Sequence, residues 1–132
     1  MPFVAVRRLV ARVVIACIVL VGAPARAEPP ASAPEDVQYL LDAIGRSGCE
    51  FYRNGSWYAA ADARSHLASK YRQVDKKRPV RSVQDFIDWV GTGSSMTGEP
   101  YRVRCPGSDA MTSAEWFRRE LERRPPSAVK SR

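Results

Sequence analysis

Two cysteines, Cys49 and Cys105, constrain the fold of this chain more than any other feature of its sequence. They are the only cysteines in the segment that follows a removable leader, which is described next. In an oxidising compartment, an isolated pair of cysteines is most simply a disulfide. Closing so long a loop stabilises a fold by about 4 kcal/mol in the chain-entropy account, a large share of the stability of a small domain.

The first 27 residues have the three parts of a secretory signal peptide. Arginines between positions 7 and 12 form a basic region, an apolar run covers 13–23, and a small-x-small site ends at Ala27. The apolar run is shorter than the roughly 20 residues that span a bilayer, which disfavours a membrane anchor. We therefore predict a signal peptide at 1–27, a periplasmic or secreted location, and no transmembrane span after cleavage. Lipidation of Cys17 is an alternative, although the apolar run continues beyond it.

The positive charge of the chain is concentrated in its leader. The whole sequence has 21 Lys and Arg, 14 Asp and Glu, and a net charge of +7. Four of the arginines lie in the leader, so the segment after it has a net charge of only +3. This near-balance, together with export, disfavours nucleic acid as a partner.

Domain organisation follows from length and composition. A chain of 132 residues supports one compact domain, which we predict at 35–124. A Pro/Ala linker at 28–34 precedes it, and a flexible polar tail at 125–132 follows it.

Four segments have the apolar spacing of amphipathic helices. The first covers 35–46, and the second follows Ser56, which we expect to cap it. Capping boxes, in which a hydroxyl residue precedes an acid by three positions, predict that the other two helices start at Ser82 and Thr112.

Each of the two cysteines lies in a short segment that we predict to be a β-strand. If the strands pair antiparallel with the cysteines opposite each other, Phe51 faces Val103 and Arg53 faces Tyr101. The expected fold class is α+β, a small and mainly helical domain. About four helices pack on a two-stranded antiparallel ribbon that carries one disulfide.

The same register brings the candidate binding residues to one end of the ribbon. The Asn-Gly turn after Arg53 meets the loop at 91–100, which is rich in glycine and hydroxyl residues. An arginine with hydroxyl groups beside a helix N-terminus can bind a carboxylate or a phosphate. Turn and cap chemistry explains the same residue types without a ligand. The candidate binding residues are Arg53, Asn54, Ser56, Ser94, Ser95, Thr97 and Tyr101.

His66 is the only histidine and the only candidate for general acid–base chemistry. A hydrolase would use His66 with Ser94 or Ser95 as the nucleophile, while Asp62, one helical turn earlier, orients the ring. No nucleophile-elbow motif is present, and a histidine at the edge of an apolar face more often packs or caps. We expect no cofactor and no metal, because a zinc site needs about four ligands.

Three motifs follow one another in an order that resembles a known family. They are SGC-x-F-x-RNG-x-WY, HLASKY and SS-x-x-G-x-x-Y-x-V-x-C, within a segment from about Tyr39 to Leu121. The segment is similar to a bacterial periplasmic family catalogued as domain of unknown function 5329. This resemblance implies a small exported protein with the same cysteine pair, and it carries over no catalytic residue.

The function we expect is that of a non-catalytic periplasmic binding or interaction module. Its partner would be an exported protein, a peptide or an envelope component. The alternatives are the small hydrolase described above and a structural envelope protein without a site. The hydrolase requires a serine hydroxyl within hydrogen-bond reach of His66, directly or through one water.

Overall fold

The computed structural model describes residues 33–126, so the leader with Cys17, and most of the predicted linker and tail, lie outside the described residues. Within this range, no helix is long and apolar enough to cross a membrane. The elements in chain order are α1 (Ala33–Arg46), β1 (Glu50–Arg53), β2 (Ser56–Ala59), α2 (Ala60–Lys77), α3 (Val83–Phe86), β3 (Arg102–Arg104), β4 (Met111–Thr112) and α4 (Ser113–Glu122). Helix α3 continues as a π-helical turn at Ile87–Gly91.

The described β-strands form one antiparallel sheet in the order β2-β1-β3-β4. The expectation of a two-stranded ribbon was therefore wrong, because a strand is added on each side of the predicted pair. The predicted central pairing itself is confirmed: Phe51 lies opposite Val103. A disulfide joins Cys49 to Cys105 at one end of this pair.

Strand β2 corrects the expected start of the second helix. Ser56–Ala59 pairs with β1, so Ser56 lies in a strand and does not cap α2. The helix begins at Ala60, and Ala59 at its N-cap offers no side-chain hydrogen bond. Asn54 and Gly55 connect the strands with φ of 47° and 90°, the positive values that a two-residue Asn-Gly hairpin turn requires. A serine before an amphipathic segment is compatible with either a helix cap or a strand. Here the backbone pairing with β1 makes Ser56 part of a strand.

Helices start at both positions where capping boxes are predicted, with the complete box at Ser82 and only its hydroxyl half at Thr112. Ser82 accepts a hydrogen bond from the Asp85 backbone, and the Asp85 carboxylate accepts one from the Ser82 backbone. Thr112 accepts from the Glu115 backbone at 3.3 Å, although Thr112 also ends the short strand β4. These local interactions satisfy backbone N–H groups that the first helical turn leaves unpaired.

The core lies between the inner face of the sheet and the helices. Its largest fully buried side chains include Phe86, Phe117, Leu40 and Ile44. The rings of Phe86 and Phe117 meet edge-to-face at 5.8 Å, which joins α3 to α4. Gly91 lies against this contact, and a Cβ there would come within 2.6 Å of the Phe117 ring. The close approach of the π-helical turn to α4 therefore requires glycine.

Removing the disulfide should cost much of the stability. The bond joins residues with a sequence separation of 56, and the variant Cys49→Ala with Cys105→Ala should lose about 4 kcal/mol in free energy of unfolding. Urea unfolding of the oxidised chain and of the double variant, followed by tryptophan fluorescence, measures the difference. The reduced wild-type chain is the matched control and should resemble the variant. A loss below about 1 kcal/mol would show that the bond is a minor constraint.

Candidate functional site

Four polar side chains meet between the inner face of the sheet and helix α2. Arg53 ends β1, Tyr101 directly precedes β3, and His66 and Lys70 lie on α2. Because residues four positions apart share one face of a helix, His66 and Lys70 both point towards the same part of the sheet. These four residues are termed the basic cluster.

Hydrogen bonds connect the members of the basic cluster. Arg53 Nη1 lies 2.8 Å from His66 Nδ1 and 3.4 Å from Nε2. A guanidinium can only donate, so Nδ1 accepts and the proton of the neutral imidazole is on Nε2. The Nε2–H group then donates a hydrogen bond to Tyr101 Oη, at 3.3 Å.

Lys70 is connected to the cluster by a hydrogen bond to Tyr101 and to the loop at 91–100 by a second one. Its Nζ donates to Tyr101 Oη at 3.3 Å and to the Gly93 carbonyl oxygen at 2.5 Å. Tyr101 Oη therefore accepts from both Lys70 and His66, and its own proton is available to a third partner. The aromatic ring of Tyr101 also lies 5.0 Å from the ammonium group.

Burial changes the pKa of three members of the cluster. It lowers the pKa of His66, and the charges of Arg53 and Lys70 lower it further. Burial also lowers the pKa of Lys70 and raises that of Tyr101. His66 is therefore neutral near pH 7, in agreement with its acceptor role towards Arg53.

No carboxylate of residues 33–126 forms an ion pair with Arg53 or Lys70. Lys70 is nevertheless only 9% exposed. The Arg53 guanidinium lies 4.7 Å from the centre of the Tyr58 ring, which compensates its charge only in part. Lys70 has hydrogen bonds but no opposite charge, and buried charge without an ion pair is unfavourable, so this arrangement is suited to an anion from outside the chain.

Two adjoining cavities share Arg53, His66 and Tyr101 as a common wall. The first, termed the apolar cavity, has a volume of about 300 Å³. The second, termed the polar cavity, has a volume of about 210 Å³. Other residues that line the apolar cavity are Phe51, Tyr52, Tyr58, Asp62, Ala63, Leu67 and Ser113. Other residues that line the polar cavity are Asn54, Ser69, Lys70, Gln73, Ser94, Ser95 and Met96.

The loop at 91–100 meets the Asn54 turn, as the register predicts. Asn54 Nδ2 donates to Ser94 Oγ at 3.3 Å, and Thr97 Oγ1 donates to Asn54 Oδ1 at 2.9 Å. Ser94 Oγ also accepts from the backbone of Met96 and Thr97, at 3.3 Å each. Asn54, Ser94 and Thr97 thus hold the loop in place; Asn54 and Ser94 also line the polar cavity, whereas Thr97 lines neither cavity.

The two remaining candidate serines lie in different places. Ser95 lines the polar cavity. Ser56 lies in β2 opposite Arg53 and is exposed. Ser56 therefore lines neither of the two cavities described above.

Sequence reasoning missed Lys70 as a site residue. Lysines on an amphipathic helix are mostly exposed, so nothing in the composition of α2 distinguishes Lys70 from its neighbours. The available signal was its spacing of four residues from His66, which places both on one helical face. Tyr58 was missed because the strand that contains it was not predicted.

The environment of His66 does not support the hydrolase alternative. Its ring nitrogens contact Arg53 and Tyr101, and no serine of residues 33–126 forms a hydrogen bond with it. A general base needs a neighbour that stabilises the imidazolium, and the guanidinium at Nδ1 destabilises it. Asp62 lines the apolar cavity, but Arg53 holds the position of the expected orienting carboxylate. Across the described segment, no three His, Cys, Asp or Glu side chains are grouped to hold a metal ion.

Comparisons with known proteins agree with the motif order. A family model described as a family of unknown function (DUF5329) matches residues 31–124. The uncharacterized protein YfeK of Salmonella typhimurium (strain LT2) is 31% identical over 83 residues, which are 62% of this chain and 68% of that protein. No solved structure matches the chain at a significant level.

The stability of the fold should fall in mild acid through His66. Its pKa is lowered in the folded state, so the unfolded chain binds a proton more readily, and the contribution to stability is complete above about pH 6.5. It is lost as the pH falls below that value. Urea unfolding from about pH 7 to about pH 5 should show a steeper loss for the wild type than for His66→Gln. Equal slopes for both proteins would contradict this account of the cluster.

Proposed function

We propose that this chain, which belongs to the DUF5329 family of unknown function, is a non-catalytic binding module that holds an anionic group at the basic cluster. One observation carries the proposal. Arg53 reaches Tyr101 through His66, the buried Lys70 contacts Tyr101 directly, and neither cation forms an ion pair within residues 33–126.

The groups that would bind the anion differ in their roles. Arg53 and Lys70 supply charge, and the Tyr101 hydroxyl has a proton to donate after accepting from Lys70 and His66. Charge-assisted hydrogen bonds of this kind are about twice as strong as neutral ones. Ser95 at the wall of the polar cavity offers a further hydroxyl. A carboxylate or phosphate oxygen at this point would give Arg53 and Lys70 the ion pair that residues 33–126 do not provide.

Two features make the site suitable for binding rather than for turnover. The His66 ring is fixed between two partners and is kept neutral by burial and by neighbouring cations. The Ser94 hydroxyl accepts hydrogen bonds from Asn54 and from the loop backbone, which stabilise the loop. These groups position the cations and leave no paired nucleophile and base.

Anion binding should depend on Lys70. The variant Lys70→Met should bind inorganic phosphate and acetate at least about tenfold more weakly than the wild type, because a hydrogen bond to a charged group contributes about 1.5–3 kcal/mol. Titration of ¹⁵N-labelled protein at constant ionic strength, followed by NMR shifts, measures both affinities. The control is Lys76→Met, an exposed lysine on the same helix. The proposal is wrong if the wild type shows no saturable chemical-shift changes around the cluster. It is also wrong if Lys70→Met binds the anions as tightly as the control Lys76→Met does.

We also propose that the module acts after export to the periplasm or the exterior. The support is the leader pattern at 1–27 and the disulfide, since such bonds persist in oxidising compartments.

Export predicts a specific processed product. Expression of the full-length chain in a bacterial host should give a periplasmic protein whose N-terminus, by mass spectrometry, is Glu28 and whose Cys49 and Cys105 resist thiol labelling until reduced. A cytosolic product that keeps 1–27, with both thiols reactive, would refute export. A mass increase on Cys17 would instead indicate lipidation.

A further inference from the structure

We infer that the ligand is an amphipathic carboxylate, with its head on the basic cluster and a small apolar group in the apolar cavity. This inference rests on the proposed function, because the cluster must hold the anion before the rest of the molecule can be placed. It adds the chemical class of the ligand and the direction in which it lies.

The shared wall of the two cavities carries the first step. Arg53, His66 and Tyr101 line both cavities, so a group bound at the cluster lies at the boundary between them. One molecule can therefore contact the cations and extend an apolar part between β2 and α2. A free inorganic anion would leave the apolar cavity unused.

The lining of the apolar cavity carries the second step. Phe51 lines the cavity, is buried, and makes an edge-to-face contact with Trp116, with ring centres 5.5 Å apart. Ser113 lines the cavity too, but its hydroxyl donates to the Gly91 carbonyl oxygen inside the fold. The inner surface is thus mainly apolar, and burying alkyl or aromatic groups there is favourable.

Charge and size restrict the ligand further. Asp62 is an exposed carboxylate on the apolar cavity, and its negative charge offsets one of the two cations, so a singly charged head balances the charges that remain. This favours a carboxylate over a phosphate monoester. The volume of about 300 Å³ lies at the lower end of ligand pockets, about 300–1,000 Å³. A short alkyl chain or a single ring is the size that fits.

Affinity should therefore increase with the length of the apolar group. Calorimetric titration of the full disulfide-bonded chain with acetate, butyrate and hexanoate should show a gain of about fourfold per added methylene, the ratio expected for complete burial. Hexanol, which has the tail without the charge, should bind far more weakly than hexanoate. Hexyl phosphate should bind no more tightly than hexanoate.

A variant that fills the apolar cavity tests the placement of the tail. Ala63→Leu should keep the affinity for acetate and lose the gain from butyrate to hexanoate, because Ala63 lines that cavity. Ala61→Leu, at an exposed position of the same helix, is the control and should behave as the wild type. If Ala63→Leu does not fold, the titrations of the wild type with acetate, butyrate and hexanoate remain the test of the apolar group.

The outcomes separate this inference from the proposed function. If acetate and hexanoate bind equally and Lys70→Met weakens both, the apolar tail is wrong and the anion site stands. If hexanol binds as well as hexanoate and Lys70→Met has no effect, the anion site is wrong. Tighter binding of hexyl phosphate would overturn the choice of a carboxylate.

Discussion

The pairing of β1 with β3, held at one end by the Cys49–Cys105 disulfide, determines which side chains face the helices. Side chains alternate along a strand, so a slip of one residue would turn the inner face outwards. With Phe51 inside, Arg53 two residues later lies on the same face. The pairing that builds the core therefore also places a cation at its edge, beside Tyr101.

Charged side chains on the two sides of the sheet have different partners. On the outer face, Arg104 forms an ion pair with Glu50 at 2.7 Å, in side chains that are about half exposed. On the inner face, Lys70 is buried and has hydrogen bonds and an aromatic ring instead of a carboxylate. Exposed pairs contribute little to stability, whereas buried unpaired charge is unfavourable unless something compensates it. The inner face is thus the side on which an external anion would change the energy most.

The candidate site could be predicted from the sequence only in part. The register correctly brought Arg53, Tyr101 and the loop at 91–100 to one end of the ribbon. Lys70 was not visible as a site residue, because its burial depends on the sheet that α2 packs against. The partner of His66 was equally hidden: Asp62 is near it in sequence, yet Arg53 contacts it from another strand.

By itself, the sequence determined the cysteine pair, the α+β class and the starts of two helices. The pair rests on a covalent bond, the helix starts on interactions within three residues, as between Ser82 and Asp85, and the class on the local apolar spacing. Only the tertiary structure decided that Ser56–Ala59 and Met111–Thr112 add strands to the sheet, and that Lys70 is buried. The physical reason is that a short edge strand is defined by its backbone partner, and the environment of a charge by distant residues that pack around it.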